Sequence, residues 1–333
     1  MKREWSEGSP EEVFARLRES VELRLREAAQ KLQRETVLKQ TVPYVLQLPG
    51  KRMRPLLCLL AAAVEGADPH VAVSAAAAVE ILHTFTLVHD DIMDRSALRR
   101  GYPTVHTRWD EAVAILTGDV LIGIAYCLLE EYARHPNFAQ LVHTMACALV
   151  RVSEGQALDL ELPAGGQLTL AQYWQMIEGK TAALLQATLL LGALVGEVSA
   201  PTRELLLQLG VQLGRAFQLQ DDLLDLIGET EETGKQRGQD LREGKYTYAV
   251  LRALEQAPDN PLLQRYRQHR GAKSDEEVEA LLELLQGLGV LEEMREQVGL
   301  EYARAIALAK QLPATPASEL LCYLLQSLSQ RRR

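Results

Sequence analysis

The sequence predicts an all-α protein built as one domain. Three observations carry this. Apolar residues recur at helical spacing over long stretches, no clear alternating strand pattern interrupts them, and the breaks fall at prolines and glycines with no internal repeat or linker between. At 333 residues the chain can bury a large core.

The elements follow in order. Val13, Leu17, Val21, Leu25, Ala28 and Leu32 step by three and four, one stripe on one helix. Gly50 to Arg54 reads as a basic loop, Pro55 suits the first turn of the next helix, and Gly66 ends it. From His70 to Asp94 the chain is rich in Ala, Val and Leu nearly all round, as a helix at the centre of a bundle is. Helices are predicted over Thr107–Arg134, Asn137–Leu162, Leu170–Val195 and Pro201–Ile227, separated at Pro136, Pro163 to Gly166 and Pro201. Gly228 to Lys245 is polar, glycine-rich and long for a connection, the mark of a functional or disordered segment. Ser274 with Glu277 three residues on reads as a capping box opening a further helix.

Composition narrows the function classes. Hydrophobic residues make up 47% and charged residues 24%, a globular balance, and the formal charge is -9. An acidic chain repels nucleic acid, so any phosphate it binds needs a local basic cluster or metal ions. Cys58, Cys127, Cys147 and Cys322 are widely separated in apolar runs, which reads as buried reduced thiols rather than a metal or disulfide framework. The polar start, Met1 to Pro10, is unlike a signal peptide. Thr181 to Val195, the best candidate span, is short of the about 20 apolar residues a membrane needs. These readings predict a cytoplasmic protein with no membrane span.

The chemistry lies in two acidic clusters of the form D-D-x-x-D, Asp90-Asp91-Ile92-Met93-Asp94 and Asp221-Asp222-Leu223-Leu224-Asp225, each on an apolar helix. Positions four apart share a helix face, so Asp90 with Asp94, and Asp221 with Asp225, present paired carboxylates. Like charges held this close and partly buried are costly, and a hard divalent cation relieves them. Magnesium suits such a place because it takes a few carboxylates and completes its shell with water and phosphate oxygens. Basic residues suited to diphosphate accompany the clusters: Lys51, Arg52 and Arg54 in the Gly50 loop, Arg99 and Arg100 after the first cluster, Lys180 in an apolar helix, and Lys235 and Lys245 after the second cluster.

These motifs together resemble the trans-polyprenyl diphosphate synthase family. The resemblance runs from Gly50-Lys51-Arg52-Met53-Arg54-Pro55 through His89-Asp90-Asp91-Ile92-Met93-Asp94, Arg99-Arg100-Gly101, Gly118-Asp119, Gly155-Gln156-Ala157-Leu158-Asp159-Leu160 and Gly179-Lys180-Thr181-Ala182. It ends with Phe217-Gln218-Leu219-Gln220-Asp221-Asp222-Leu223-Leu224-Asp225, Gly234-Lys235, Gly238-Gln239-Asp240-Leu241 and Gly244-Lys245. Ala249 stands where family members often carry Pro. The resemblance implies a single-domain isoprenoid-synthase-type helical bundle around a deep central cavity. It also implies that Asp90, Asp91, Asp94, Asp221, Asp222 and Asp225 hold three magnesium ions on an allylic diphosphate. Arg99, Lys180, Thr181, Gln218, Lys235 and Lys245 would contact that diphosphate, with Asp159 close by. Lys51, Arg54, His83 and Arg100 would hold isopentenyl diphosphate; His83 lies two helical turns before Asp90 on the same face. Asp90, Asp94, Lys180 and Asp221 would carry the catalysis.

The implied reaction breaks the allylic carbon–oxygen bond, and the cations stabilise the charge that develops on the departing diphosphate. The double bond of isopentenyl diphosphate attacks the allylic cation, and a proton is lost to the released diphosphate. Other readings explain less. A terpene cyclase has no need of the Lys51 loop, a head-to-head synthase would usually carry a C-terminal anchor, and a non-catalytic partner subunit would be expected to lose an Asp cluster. Arg331 to Arg333 could act as a basic flap. The family also implies a homodimer, for which Ala112, Val113, Ile115, Leu116, Val120, Leu121 and Ile124 offer an apolar face. Phe85, five positions before Asp90, is the first bulky group back along the buried helix, and Thr86 beside it is small. One aromatic there resembles the pattern of C20 synthases, making geranylgeranyl diphosphate the expected product and farnesyl diphosphate the alternative.

Overall fold

In a computed structural model of the chain, residues 4–161, 169–228, 237–268 and 273–330 are described. The helices are α1 (Pro10–Ala29), α2 (Leu38–Gln47), α3 (Met53–Ala63), α4 (Val73–Met93), the single turn α5 (Val105–Arg108), α6 (Glu111–Leu129), α7 (Phe138–Glu161) and α8 (Leu170–Ile177). They continue with α9 (Ala183–Val195), α10 (Ala200–Ile227), α11 (Gln239–Glu243), α12 (Tyr248–Gln256), α13 (Pro261–Gln268), α14 (Asp275–Gly287), α15 (Val290–Ala309) and α16 (Pro316–Ser329). Among the described residues the strands are β1 (Leu98–Arg99) and β2 (Tyr102–Pro103), one antiparallel hairpin. The all-α prediction holds.

The chain divides into two compact units. The first comprises Met1–Leu149, Gln186–Gln208 and Ala309–Tyr323; the second comprises Val150–Leu185, Leu209–Leu308 and Leu324–Arg333. In the first unit α4 packs on α6, α3 and α1. Its alanines, Ala75 to Ala78, are fully buried, and small side chains let neighbouring helices approach closely. α3 is buried from Leu56 to Ala63, and Gly192 explains how α9 reaches it: a Cβ there would sit 2.0 Å from the Cys58 carbonyl oxygen. In the second unit α12 packs against α8, α13 and α14, and α11 against α14.

The local signals hold well. Val13, Leu17, Val21, Leu25 and Ala28 are buried on α1, while Leu32 lies past the helix end. Each such burial contributes about 1–3 kcal/mol. Ser9 with Glu12 and Ser274 with Glu277 form capping boxes, the second as the sequence predicts. Gly66 adopts φ 97 just after α3. α12 starts at Tyr248, so Ala249 occupies a first-turn position that Pro would also fit.

Four readings need correction. Leu170–Val195 is not one α-helix, because a π-helical turn over Glu178–Ala182 separates α8 from α9. The stretch from Thr107 to Arg134 is broken at Trp109 and Asp110, where Asp110 caps α6 by accepting from the Val113 N–H. Only Cys58 is buried; Cys127 and Cys147 are exposed and Cys322 half-buried. On α6 few polar residues mark the outer face, so Cys127 joins Ile115 and Leu116 on an exposed apolar stripe the sequence pattern cannot distinguish from core. Thr181 to Val195 is also not the best candidate span. Pro69–Met93 and Glu111–Tyr132 are long and apolar enough to cross a membrane; 72% of the first apolar window is buried in the protein, as in a central helix, and 44% of the second. The break predicted at Pro163 to Gly166 and the arginines 331 to 333 lie outside the described residues.

Candidate active site

In the first unit the end of α4, the Gly50 loop and the β1–β2 hairpin converge. The hairpin turn is Arg100-Gly101, with φ 52 and 82, the two positive values that a two-residue hairpin requires. Arg100 tolerates this at a cost of about 1 kcal/mol. Its guanidinium donates to the Pro49 carbonyl at 2.5 Å and lies against Gly50, where a Cβ would come within 2.6 Å of it. The glycine of the basic motif is therefore a notch for Arg100.

His83 on α4 accepts through Nε2 from the Arg54 guanidinium at 3.0 Å, since arginine has no acceptor to offer. Burial first, and then the surrounding arginines 54, 100, 99 and 52, hold its pKa well below the usual histidine value. A neutral imidazole ringed by guanidiniums suits an anion, whose arrival would reverse that repulsion. His83, Arg99, Arg100 and Tyr44 line one small pocket together with Leu87 and Val88. The sequence-predicted isopentenyl diphosphate residues His83, Arg54 and Arg100 thus lie in one neighbourhood, and Lys51 is exposed on the same loop.

The first acidic cluster is divided by burial. Asp90 is half-buried and Asp94 exposed, whereas Asp91 is buried and paired with Arg99, whose Nε donates to Oδ1 at 2.8 Å. Burial raises the Asp91 pKa, with Arg99 opposing and Asp94 adding to the rise. Phe85 is half-buried, its ring edge-on to His89 at 4.8 Å. Nε2 of His89 lies 3.2 Å from the Ile115 carbonyl, in space left by Gly118, where a Cβ would meet it at 2.1 Å. Thr86 donates its hydroxyl to the His83 carbonyl at 2.8 Å.

In the second unit α7, the π-turn and α10 carry the other predicted residues. Gly155 and Gly179 let α7 touch the π-turn backbone to backbone; a Cβ on Gly155 would lie 2.1 Å from the Lys180 nitrogen. This brings Lys180 Nζ within 2.6 Å of Asp159 Oδ2. Gly214 admits α10 as closely, with Ala182 2.4 Å from where a Cβ would be. Thr181 then donates to Gln218 at 2.8 Å, Gln218 to Asp222 Oδ1 at 2.9 Å, and Tyr173 to Asp222 Oδ2 at 2.7 Å.

Asp222 is buried with both oxygens accepting from protein donors. Burial, and next the nearby Asp240, push its carboxyl up to about 7. Asp225 accepts from the Asp240 N–H at 3.1 Å and so ties α10 to the start of α11. Lys245 pairs with Glu243 at 2.8 Å and Asp240 at 3.4 Å. Lys235 lies outside the described residues. Tyr173 and Asp240 are the residues that site reasoning missed. Asp240 stands in a quoted motif and could have been chosen by its charge, but nothing local marks Tyr173.

Among the described residues, no three His, Cys, Asp or Glu side chains form a ready cation cage. Paired carboxylates at Asp90 and Asp94, and at Asp221 and Asp225, instead fit an ion that completes its shell with water and phosphate. Burial first, and then the neighbouring acids Asp240 and Asp221, raise the Asp222 carboxyl, and a divalent cation nearby would favour its charged form.

Residues 35–285 match the Polyprenyl synthetase family. A geranylgeranyl diphosphate synthase of Methanosarcina mazei is 38% identical over 250 residues, 75% of this chain and 76% of its own length. A crystal structure of a geranylgeranyl pyrophosphate synthase superposes with TM-score 0.89 at 33% identity, covering 96% of this chain and 98% of the other. A polyprenyl synthase from Caulobacter crescentus CB15, complexed with calcium and isoprenyl diphosphate, gives 0.86 at 32% identity and covers 98% and 99%.

Proposed function

Because the chain belongs to the polyprenyl synthetase family and is a prenyltransferase, we propose that it condenses isopentenyl diphosphate with allylic diphosphates as far as geranylgeranyl diphosphate. The observation that carries this reading is the company kept by two complete Asp clusters: Arg54, His83 and Arg100 in one unit, Lys180 with Asp159 in the other. Three magnesium ions, held by Asp90, Asp91, Asp94, Asp221, Asp222 and Asp225, would stabilise the charge developing on the departing diphosphate. Lys180, Arg99 and Lys245 would add donors to the same oxygens, strongest where charge is greatest. Lys51, Arg54, Arg100 and His83 would fix isopentenyl diphosphate so that its double bond is held for attack. Asp222, bonded to Tyr173 and Gln218, keeps the second cluster oriented.

The C20 product rests on Phe85. Its half-buried ring, one turn before His89, is proposed to stop the growing chain. Incubation of the purified chain with excess isopentenyl diphosphate should yield mainly C20, and Phe85→Ala should shift product to longer chains. Mainly C15 from the wild type, or an unchanged distribution in the variant, would refute the assignment. Turnover by the chain alone also separates a synthase from a non-catalytic subunit.

A homodimer is proposed as well. Of the apolar residues on α6, Leu121 and Ile124 are buried in the core, while Ala112, Ile115 and Leu116 remain exposed and suit a second copy. Light scattering at micromolar concentration should give twice the chain mass; a monomer mass would remove the proposal.

A further inference from the structure

Lys51 ends the Gly50 loop and Arg54 stands in the first turn of α3, and such a junction holds a diphosphate well only if its backbone is fixed beforehand. What fixes this one is Arg52 between them. Its side chain turns inward and is only 6% exposed, and its backbone is left-handed at φ 47, so the chain changes direction between exposed Lys51 and half-buried Arg54. The guanidinium donates to Glu22 at 2.6 Å, to Glu80 at 3.1 Å, and to the Leu46 and Leu48 carbonyls at 2.7 and 3.3 Å. Glu80 belongs to the core helix α4, and the two carbonyls close α2.

Glu22 belongs to α1. One turn before it on the same face, Arg18 donates through Nε to the Lys51 carbonyl at 3.2 Å. One face of α1 therefore grips the loop twice, once by the backbone of Lys51 and once by the side chain of Arg52. The Polyprenyl synthetase match begins at residue 35, past the end of α1.

We infer that Glu22 and Arg18 are positioning residues for isopentenyl diphosphate, holding through Arg52 and the Lys51 carbonyl the loop that presents Lys51 and leads into Arg54 on α3. This rests on the proposed substrate of that loop. Neither residue touches substrate; each sets the geometry of those that do. Glu80 and the two carbonyls keep the Arg52 guanidinium paired without Glu22, so loss of Glu22 loosens the loop without leaving a bare buried charge.

The test is steady-state kinetics of the full chain carrying Glu22→Gln or Arg18→Met, varying each substrate at saturation of the other. Glu22→Gln should raise KM for isopentenyl diphosphate about five- to tenfold, somewhat less than a hydrogen bond to a fully buried charged group because Glu22 is partly solvated. Arg18→Met should raise it about two- to threefold. KM for the allylic substrate and kcat should stay within about twofold in both, a split that a general loss of packing does not give. An unchanged KM for isopentenyl diphosphate in both variants, or a parallel shift of both KM values and kcat, overturns the inference while the functional reading stands. A wild-type chain that does not turn over isopentenyl diphosphate overturns that reading and this inference with it.

Discussion

Asp90→Ala and Asp221→Ala are each expected to lower kcat by about 10³-fold or more, ~4 kcal/mol of transition-state stabilisation. The argument is electrostatic. Each change removes one of a pair of carboxylates a helical turn apart, and a cation held by few protein ligands loses a large share of its hold when one goes. Both residues are half-buried, so the fold should survive. Circular dichroism and thermal unfolding close to wild type, with kcat down, is the expected pattern. The double variant should be scarcely worse than either single one, because groups acting as a unit are not additive. Near-normal turnover in Asp221→Ala would end the paired-cluster account.

The second large effect is on stability. Gly155→Ala adds one methyl group where the nearest atoms are the Lys180 nitrogen at 2.1 Å and the Gly179 carbonyl carbon at 2.5 Å, both backbone. No side chain can swing away, so α7 and the π-turn must separate. Overpacking of this kind costs about 1–3 kcal/mol and sometimes more, which lowers the melting temperature by roughly 1–2 °C per kcal/mol in a chain of 333 residues. The same displacement pulls Lys180 from Asp159, so kcat should fall further than the stability loss explains at a temperature where the variant is still folded. Calorimetry with parallel kinetics checks both; a melting temperature indistinguishable from wild type would show that α7 and the π-turn have room for the methyl group. Gly123→Ala is the control, since nothing lies within 4 Å of a Cβ there.

Much of this was legible in the chain itself. The apolar run of α4, the stripe of α1 and the Ser274 cap are local periodicities, and local periodicity survives folding because neighbours in sequence remain neighbours in space. Both Asp clusters could be chosen because paired carboxylates on apolar helices are costly without a partner. The pairings behind them could not. Tyr173 meets Asp222 across 49 positions, and Arg52 meets Glu22 across 30. Neither tyrosine nor glutamate on an amphipathic helix announces a distant partner. Arg99 and Gln218 show the converse: both carry polar groups suited to phosphate, yet they bond Asp91 and Asp222, which no spacing rule anticipates. The glycines are intermediate. Gly50, Gly155 and Gly214 stand in or near recognisable patterns, but only the three-dimensional neighbour gives each its reason.

The π-turn at Glu178–Ala182 makes residue count matter here as much as residue type. Its wider backbone loop takes up more residues per revolution than an α-helix, so side chains before and after it are phased differently from those of one continuous helix. A one-residue deletion in this stretch would yield a more regular cylinder with better hydrogen bonds, and would rotate Tyr173 out of step with Thr181. Local regularity and chemical alignment therefore oppose each other at this place. Length variation should be far less tolerable between Tyr173 and Thr181 than on the surface, even where every individual side chain is kept.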